Sequence, residues 1–463
     1  MVDSESPGSN DRAASDRGWR VAVVGSGPSG IYAVQALLKR DEVTAVDVFE
    51  SLPAPYGLLR YGVAPDHAKT KSVARALARA FDDPRVRFFG NVRVGSTITR
   101  QELLEHYDAI VYATGARYDR ELGIPGEQLT GSVGAADFVA WYSGHPDVGQ
   151  PADLSGNRSI VIIGAGNVAL DVARISLQDR KILEHTDMPR EVVAEIASAP
   201  LDEVHLLIRR GPAHVKFSRV ELAELLTLPD LRVLLHVDPA EFAERDDLSK
   251  EAGVNLKLFR EALARQAESD AAGEQPSRTL HVHFWTTPER IEGEHRVSAV
   301  RVVTRTPEGV TVEGEIPAQA AIRAIGYRGE PIGGLPFDEI ACLVPNEAGA
   351  VAAPAEVGRE FVTGWIKRGP TGVIGTNKGD AAETVDTLAD ALGRTPGVGG
   401  ERPDIAELFG DRGITTVDWS QWRRIEEAEQ ALGDEHGAPT VKLVDREELL
   451  DAARQEQETG LRN

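Results

Sequence analysis

Two β-branched runs, each broken by a glycine-rich loop and then by a helical pattern, constrain this chain more than any other feature. The first is Arg20-Val-Ala-Val-Val24, followed by Gly25-Ser-Gly-Pro-Ser-Gly30 and by helical character from Ile31 to Lys39. Such a run reads as a strand buried on both faces of a parallel sheet. In the loop, Gly25 permits the tight turn, Gly27 lets a pyrophosphate approach the backbone, and Gly30 lets helix and strand pack closely. The unpaired N–H groups of the helix start then face the phosphates. The second unit has the same construction. Arg158-Ser-Ile-Val-Ile-Ile163 leads into Gly164-Ala-Gly-Asn-Val-Ala169, with Ala in the third small position, and a helix runs through Leu170 to Ile175. One G-x-G-x-x-G is weak evidence alone; a strand before it and a helix after it are the context that gives it meaning. Two such units imply two bound dinucleotides.

The residue that ends each second strand sorts the two. Ala45-Val-Asp-Val-Phe49 ends in Glu50, 20 positions past Gly30, where a ribose-binding carboxylate is expected. Glu203-Val-His-Leu-Leu-Ile208, reached after an insertion over residues 178–200, ends instead in Arg209-Arg210-Gly211. A carboxylate repels a 2′-phosphate, whereas paired guanidiniums bind it by charge-assisted hydrogen bonds. The first unit therefore suits FAD and the second NADP, against the plainer alternative of two solvated strand ends. Tyr107 to Gly115 and Ala321 to Tyr327 both read as strands closing on glycine. They place the NADP unit inside the FAD domain. The expected architecture is α/β with two Rossmann-like domains. FAD binding falls to residues 19–117 and 343–463, NADP binding to 118–342, and residues 1–18 read as a disordered leader.

Bulk properties exclude whole classes. A chain of 463 residues exceeds one core, and 41% hydrophobic with 27% charged residues reads as globular. The formal charge of -22 opposes nucleic acid as a partner. No apolar run reaches the roughly 18 residues of a membrane span, and the leader lacks the apolar core of a secretory signal. Cys342 is the only cysteine, so no intrachain disulfide, CxxC pair, zinc knuckle or iron–sulfur ligand set can form. Redox chemistry must then reside in a bound organic cofactor, and the cysteine usage fits a cytoplasmic chain.

A third segment bears on the flavin. Glu360 to Trp365 reads as a strand, Ile366 to Asn377 as a glycine-rich turn, and a helix is expected from about Asp380 through Leu392. A helix N-terminus near Gly372 would set its positive dipole beside an anion, and reduced flavin carries negative charge at its N1–C2 oxygen edge. Trp365 either stacks on that ring system or is core.

Together these residues resemble one family, the adrenodoxin reductase type of ferredoxin–NADP reductase. The resemblance runs from about Val21 to Leu392. It rests on Gly25 to Gly30, Pro55-Tyr-Gly-Leu-Leu-Arg-Tyr-Gly-Val-Ala-Pro-Asp-His67, Gly164 to Asp171, Arg209-Arg-Gly-Pro212, and the highly specific Gly364-Trp-Ile-Lys-Arg-Gly-Pro-Thr-Gly-Val-Ile-Gly-Thr-Asn377. The stretch from about Gly393 to Asn463 is similar to the longer bacterial members. The resemblance implies two three-layer domains of the glutathione-reductase kind. It implies that Ser29, Glu50, Leu58, Val92, Trp365, Gly372, Val373 and Ile374 contact FAD. It further implies that Gly166, Asn167, Val168, Ala169, Arg209, Arg210, Glu221 and Gly372 contact NADP, and that His67 and Glu221 stand near the flavin–nicotinamide junction. This chain departs from the family at Tyr56, where Trp is familiar, at Tyr61, and in the positive charge of Lys216 and Arg219 around Glu221.

The expected activity is transfer of hydride from NADPH to flavin N5, followed by single-electron delivery to an acidic iron–sulfur protein, a ferredoxin of the kind that feeds a cytochrome P450. His67 either serves the flavin site or is a structural loop histidine. Lys216, Arg219, Lys367, Arg368 and Arg60 are candidate docking contacts. A disulfide oxidoreductase falls with the missing cysteine pair, and a glutamate synthase small subunit with the missing clusters. An NADPH-dependent FAD monooxygenase or diaphorase survives, as does, further off, a non-catalytic NADP(H) sensor.

Overall fold

The structure is a computed structural model that describes residues 18–243, 247–352, 359–395, 399 and 402–455. The expected leader, Gly18 apart, lies outside the described residues, as does the end of the C-terminal extension.

Two parallel sheets organise the chain. In the first, strands Glu360–Val362, Ala109–Tyr112, Trp19–Val24, Val43–Phe49 and Val86–Phe89 lie side by side in that order, all parallel, with two short antiparallel strands (Asn346–Glu347 and Ala350–Val351) at one edge. Strand residues alternate between faces. Val21, Val23, Val46, Val48 and Val111 therefore join one apolar cluster, and Ala22, Val24, Phe49, Ile110 and Val362 join another on the opposite side. Both faces are covered, so the unit has three layers. The strand from the far end of the sequence, Glu360–Val362, pairs directly with Ala109–Tyr112.

The second sheet has order Ser132–Gly134, Ala320–Arg323, Ser159–Ile163, Glu203–Leu207, Arg278–His283, Leu231–His236, again all parallel. Ile160, Ile162, Val204 and Leu206 face the helical side. Val161, Ile163 and Leu207 instead pack against a three-stranded antiparallel sheet, Thr286–Glu292, Ala299–Arg305 and Thr311–Pro317. The two chain crossings between the sheets pair with each other, Tyr118–Asp119 against Tyr327–Arg328. The NADP unit is thus an insertion in the FAD domain, and its own inserted residues form the helices Arg180–Leu183 and Arg190–Ser198.

The C-terminal extension forms helices Ile405–Asp411, Trp419–His436 and Arg446–Arg454. Trp422, Ile425, Leu449 and Ala453 enter the core of the first domain. Between the last two helices, Lys442 Nζ donates to the Arg60 and Ser143 carbonyls at 3.0 Å each and pairs with Asp187 at 3.0 Å. Arg446 likewise reaches the Ser51 carbonyl and Asn91 on one side and Asp147 on the other. The extension therefore clasps both domains.

Two local expectations change. The strand stops at Val362 because Gly364 turns at φ +77°, held by Asp380, whose carboxylate accepts from Thr363 Oγ1 and Gly364 N. Trp365 consequently opens a short helical turn, Trp365–Arg368, rather than ending the strand. The following helix starts at Thr376, so Gly372 sits in the turn before it and not at its N-terminus.

Candidate active site

The first glycine loop has its geometry from exclusion. Gly25 turns at φ +105°, and a Cβ there would lie 2.5 Å from the Ala113 carbonyl oxygen. A Cβ on Gly30 would lie 1.9 Å from the Gly25 oxygen, so helix and strand approach as closely as backbones allow. At Gly27, by contrast, a Cβ would meet nothing within 4 Å. The helix Pro28–Leu37 has no side-chain cap at Gly27. Open space in front of uncapped N–H groups fits a pyrophosphate.

Glu50 is nearly buried, its Oε2 accepting from Ser26 N (3.1 Å) and Ser26 Oγ (2.7 Å), its Oε1 from Ser51 Oγ (3.0 Å) and Leu52 N (3.2 Å). These donors fix the carboxylate at the end of its strand beside the loop. Val92 N donates to the Glu50 carbonyl at 2.8 Å, while the Val92 side chain is core at 1% exposure. Val92 is thus buried as a whole residue, with its N–H already committed. Leu58 is half-buried, opening a helical turn after Gly57, whose own Cβ would stand 3.2 Å from Gly27 Cα.

The returning segment meets this loop directly. Ser29 Oγ donates to Asn377 Oδ1 at 2.9 Å, and a Cβ on Gly364 would be 2.2 Å from Ser29 Oγ. Trp365 is half-buried beside Tyr327, ring centroids 5.9 Å apart, with Nε1 donating to the Thr371 carbonyl at 3.1 Å. Gly372 and Val373 are exposed, and Ile374 packs on the first domain's core.

The second loop repeats the pattern. A Cβ on Gly164 would lie 2.3 Å from the Ala324 oxygen, while Gly166 faces open space. Ala169 is fully buried and Val168 partly so. Asn167 Oδ1 accepts from Ser218 N at 2.8 Å and Lys216 N donates to the Ala165 carbonyl at 3.1 Å, which ties the loop to the segment leading into Glu221. Arg209 and Arg210 are exposed, and among the described residues no carboxylate pairs with either guanidinium.

Between the domains lies a cluster of charges. His67 Nε2 meets Glu224 Oε2 at 2.9 Å. Arg174, itself buried, forks onto Asp66 at 2.9 and 3.0 Å and reaches Asp171 at 2.7 Å. Burial raises the Asp171 carboxyl to about 6, outweighing Arg174 and His67, with Asp66 and Glu221 adding to the rise. Glu221 belongs to this field, and its Oε2 is buried with no hydrogen-bond partner. An orphaned buried carboxylate oxygen is costly and implies a missing donor. A bound nicotinamide carries an amide that can supply one.

Two of the candidate docking residues are unavailable. Lys367 is buried among Asp380, Glu383 and Thr384, and Arg60 pairs with Glu429 in the first domain's core. Arg368 is half-buried and donates to Asn377 Oδ1 at 2.8 Å. Lys216 and Arg219 are exposed. Asp66, Asp171, Arg174, Glu224 and Asn377 were not among the expected site residues. Apart from the Asp171–Arg174 pair three positions apart on one helix, their pairings span up to 348 positions, and no local spacing reveals those.

Residues 19–211 match the pyridine nucleotide-disulphide oxidoreductase family, although a chain with one cysteine cannot form the redox disulfide of that name. The chain is 42% identical to NADPH-ferredoxin reductase FprA of Mycobacterium leprae over 457 residues, 93% of this chain and 97% of that protein. It is 36% identical to the mitochondrial NADPH:adrenodoxin oxidoreductase of Arabidopsis thaliana over 470 residues, 95% and 96% of the two chains. Among solved structures it is similar to Mycobacterium tuberculosis FprA in complex with NADPH, at TM-score 0.86 and 41% identity, covering 94% of this chain and 100% of that one.

Proposed function

From the premise that this chain belongs to the adrenodoxin reductase type of ferredoxin–NADP reductases, we propose how its residues carry NADPH-dependent reduction of an iron–sulfur protein. The observation that carries the reading is the opposed pair of strand ends, Glu50 beside one open glycine loop and unpaired Arg209 and Arg210 beside the other.

FAD and NADP are the cofactors. Bound FAD supplies an acceptor for a hydride and a source of single electrons. The chain's part is placement and electrostatics. Glu50 holds the flavin nucleotide's ribose, and the space at Gly27 receives its pyrophosphate. Ser29, Asn377 and the Gly364–Ile374 segment bring the returning chain to the same cofactor, with Leu58, Val92 and Trp365 lining it. Gly166 to Ala169 receive the second pyrophosphate, and Arg209 with Arg210 grip the 2′-phosphate as charge-assisted donors. Glu221 accepts from the nicotinamide amide through its unpartnered Oε2. His67, anchored by Glu224, positions the junction between the two cofactors.

The acceptor is an iron–sulfur protein. We assign its docking to the exposed Lys216 and Arg219, which stand out locally on an acidic chain, and read the acceptor as an acidic ferredoxin of the kind that passes electrons to a cytochrome P450. Single-cysteine usage supports a reducing, cytoplasmic setting. No helix of the described residues is long and apolar enough to cross a membrane. The test is direct: the purified chain carries a yellow flavin spectrum, reduces ferricyanide with NADPH, and reduces cytochrome c only when ferredoxin is added. A chain that cannot be loaded with FAD overturns the reading.

A further inference from the structure

Four histidines gather on the three strands at one edge of the second sheet. His205 lies on Glu203–Leu207, His281 and His283 on Arg278–His283, and His236 at the end of the edge strand Leu231–His236. Register brings them together: His281 stands opposite His205, and His283 opposite His236. All four share one sheet face, because positions 281 and 283 are two apart on a strand.

Their rings form a compact block. His205 stacks on His281 at 4.3 Å between centroids, and His236 stacks on His283 at 4.2 Å. Across the diagonals, His205 Nδ1 meets His283 Nε2 at 3.0 Å and His236 Nε2 meets His281 Nδ1 at 2.9 Å. The donor atoms of His205, His281 and His283 all lie within 4.8 Å of one another. Two imidazole nitrogens on one tetrahedral zinc ion stand roughly 3.3 Å apart, so the widest separation closes by up to about 1.5 Å while the His205–His283 pair is already that near. One nitrogen, His281 Nε2, is buried with no hydrogen-bond partner. Glu203 Oε2 stands 3.5 Å from His205 Nε2, the arrangement in which a carboxylate orients a metal-bound imidazole through its far nitrogen.

We propose that His205, His281 and His283, flanked by His236, form a binding site for one divalent transition-metal ion of the zinc class. An all-imidazole donor set selects zinc, copper, nickel or cobalt and disfavours magnesium and calcium, which demand oxygen ligands. The ion would staple the edge strand region to the interior of the sheet. It does not rest on the electron-transfer reading, since none of the four histidines is among the residues assigned to either cofactor.

The test uses the FAD-loaded full chain without a histidine tag, stripped by chelator and titrated calorimetrically with Zn2+. One ion should bind per chain, and binding should weaken at least ~10-fold in His283→Gln and in His205→Gln, while His185→Gln, an exposed histidine elsewhere, leaves it unchanged. Co2+ added to the unaltered chain should give the intense visible bands of a tetrahedral site and Zn2+ should raise its Tm, readouts that stand even if a variant misfolds. Absence of saturable Zn2+ binding by the unaltered chain, binding unchanged in His283→Gln, or equal binding of Mg2+ would overturn the proposal.

Discussion

Ser29 and Asn377 stand 348 positions apart in the chain, and their side chains meet at 2.9 Å. That one hydrogen bond joins the first glycine loop to the segment that returns after the whole NADP unit. Asn377 Oδ1 also accepts from Arg368. Replacing Asn377 by Ala removes both bonds and a third, from its Nδ2 to the Ile374 carbonyl at 3.1 Å, each worth about 1 kcal/mol, and strands two donors. Asn377→Ala should therefore release FAD about tenfold more readily, measured as flavin retained through gel filtration, with the far-ultraviolet circular dichroism unchanged. Gly364→Ala should be harsher, because φ is +77° and the new Cβ would strike Ser29 Oγ.

Glu221 separates stability from activity. Its unpartnered, buried Oε2 destabilises the cofactor-free chain. Glu221→Ala should leave the Tm of that form unchanged or higher, yet lower kcat/KM for NADPH at least ~10-fold, the loss of a charge-assisted hydrogen bond. A lower Tm with normal turnover would assign Glu221 a structural role instead.

Asp171 sets a pH dependence. Its carboxyl is raised to about 6 in the fold from an ordinary 3.8. Between those values the folded chain holds the proton that the unfolded chain releases, so stability falls as pH rises from about 4 to about 6. Asp171→Asn should flatten that part of the Tm-against-pH curve of the cofactor-free chain. An unchanged slope would place the titration elsewhere.

Lys442 tests the clasp between domains. Its ammonium is held by Arg60 and Ser143 carbonyls and by Asp187. Lys442→Ala removes one of the two lysines on Asp187, Lys71 holding the other side at 2.7 Å, and frees two carbonyls, a loss of about 2 kcal/mol. Denaturant melts should show that loss. Lys442→Arg, which keeps the charge but not the fit, should recover only part of it.

What the sequence revealed and what it hid divide along physical lines. Glycine loops, strand ends and the Gly364–Asn377 motif are local patterns, and the roles proposed for Glu50, Arg209 and Arg210 rest on the charge at single positions. Depth is not local. Lys367 and Arg60 read as surface cations, but their partners Asp380 and Glu429 lie 13 and 369 positions away, and those pairings bury them. The Asp66–Arg174 and His67–Glu224 links, at separations of 108 and 157, depend on how two domains dock. The histidine block needs the register of three strands. The expected start near Asp380 falls late because Ile366 to Asn377 reads as one glycine-rich turn, whereas Thr376 Oγ1 accepts from Val373 N at 3.1 Å and the helix begins at Thr376.

Reduction of cytochrome c through added ferredoxin, driven by NADPH or by NADH, measures both nucleotide choice and the need for an iron–sulfur partner when the unaltered chain is compared with the Arg209→Ala, Arg210→Ala double variant. Each guanidinium contact to a phosphate contributes about 1.5–3 kcal/mol. The unaltered chain should prefer NADPH strongly, require ferredoxin, and lose on the order of 100-fold in kcat/KM for NADPH in the double variant, with NADH barely changed. Equal use of the two nucleotides by the unaltered chain, or cytochrome reduction at the same rate without ferredoxin, would contradict the account.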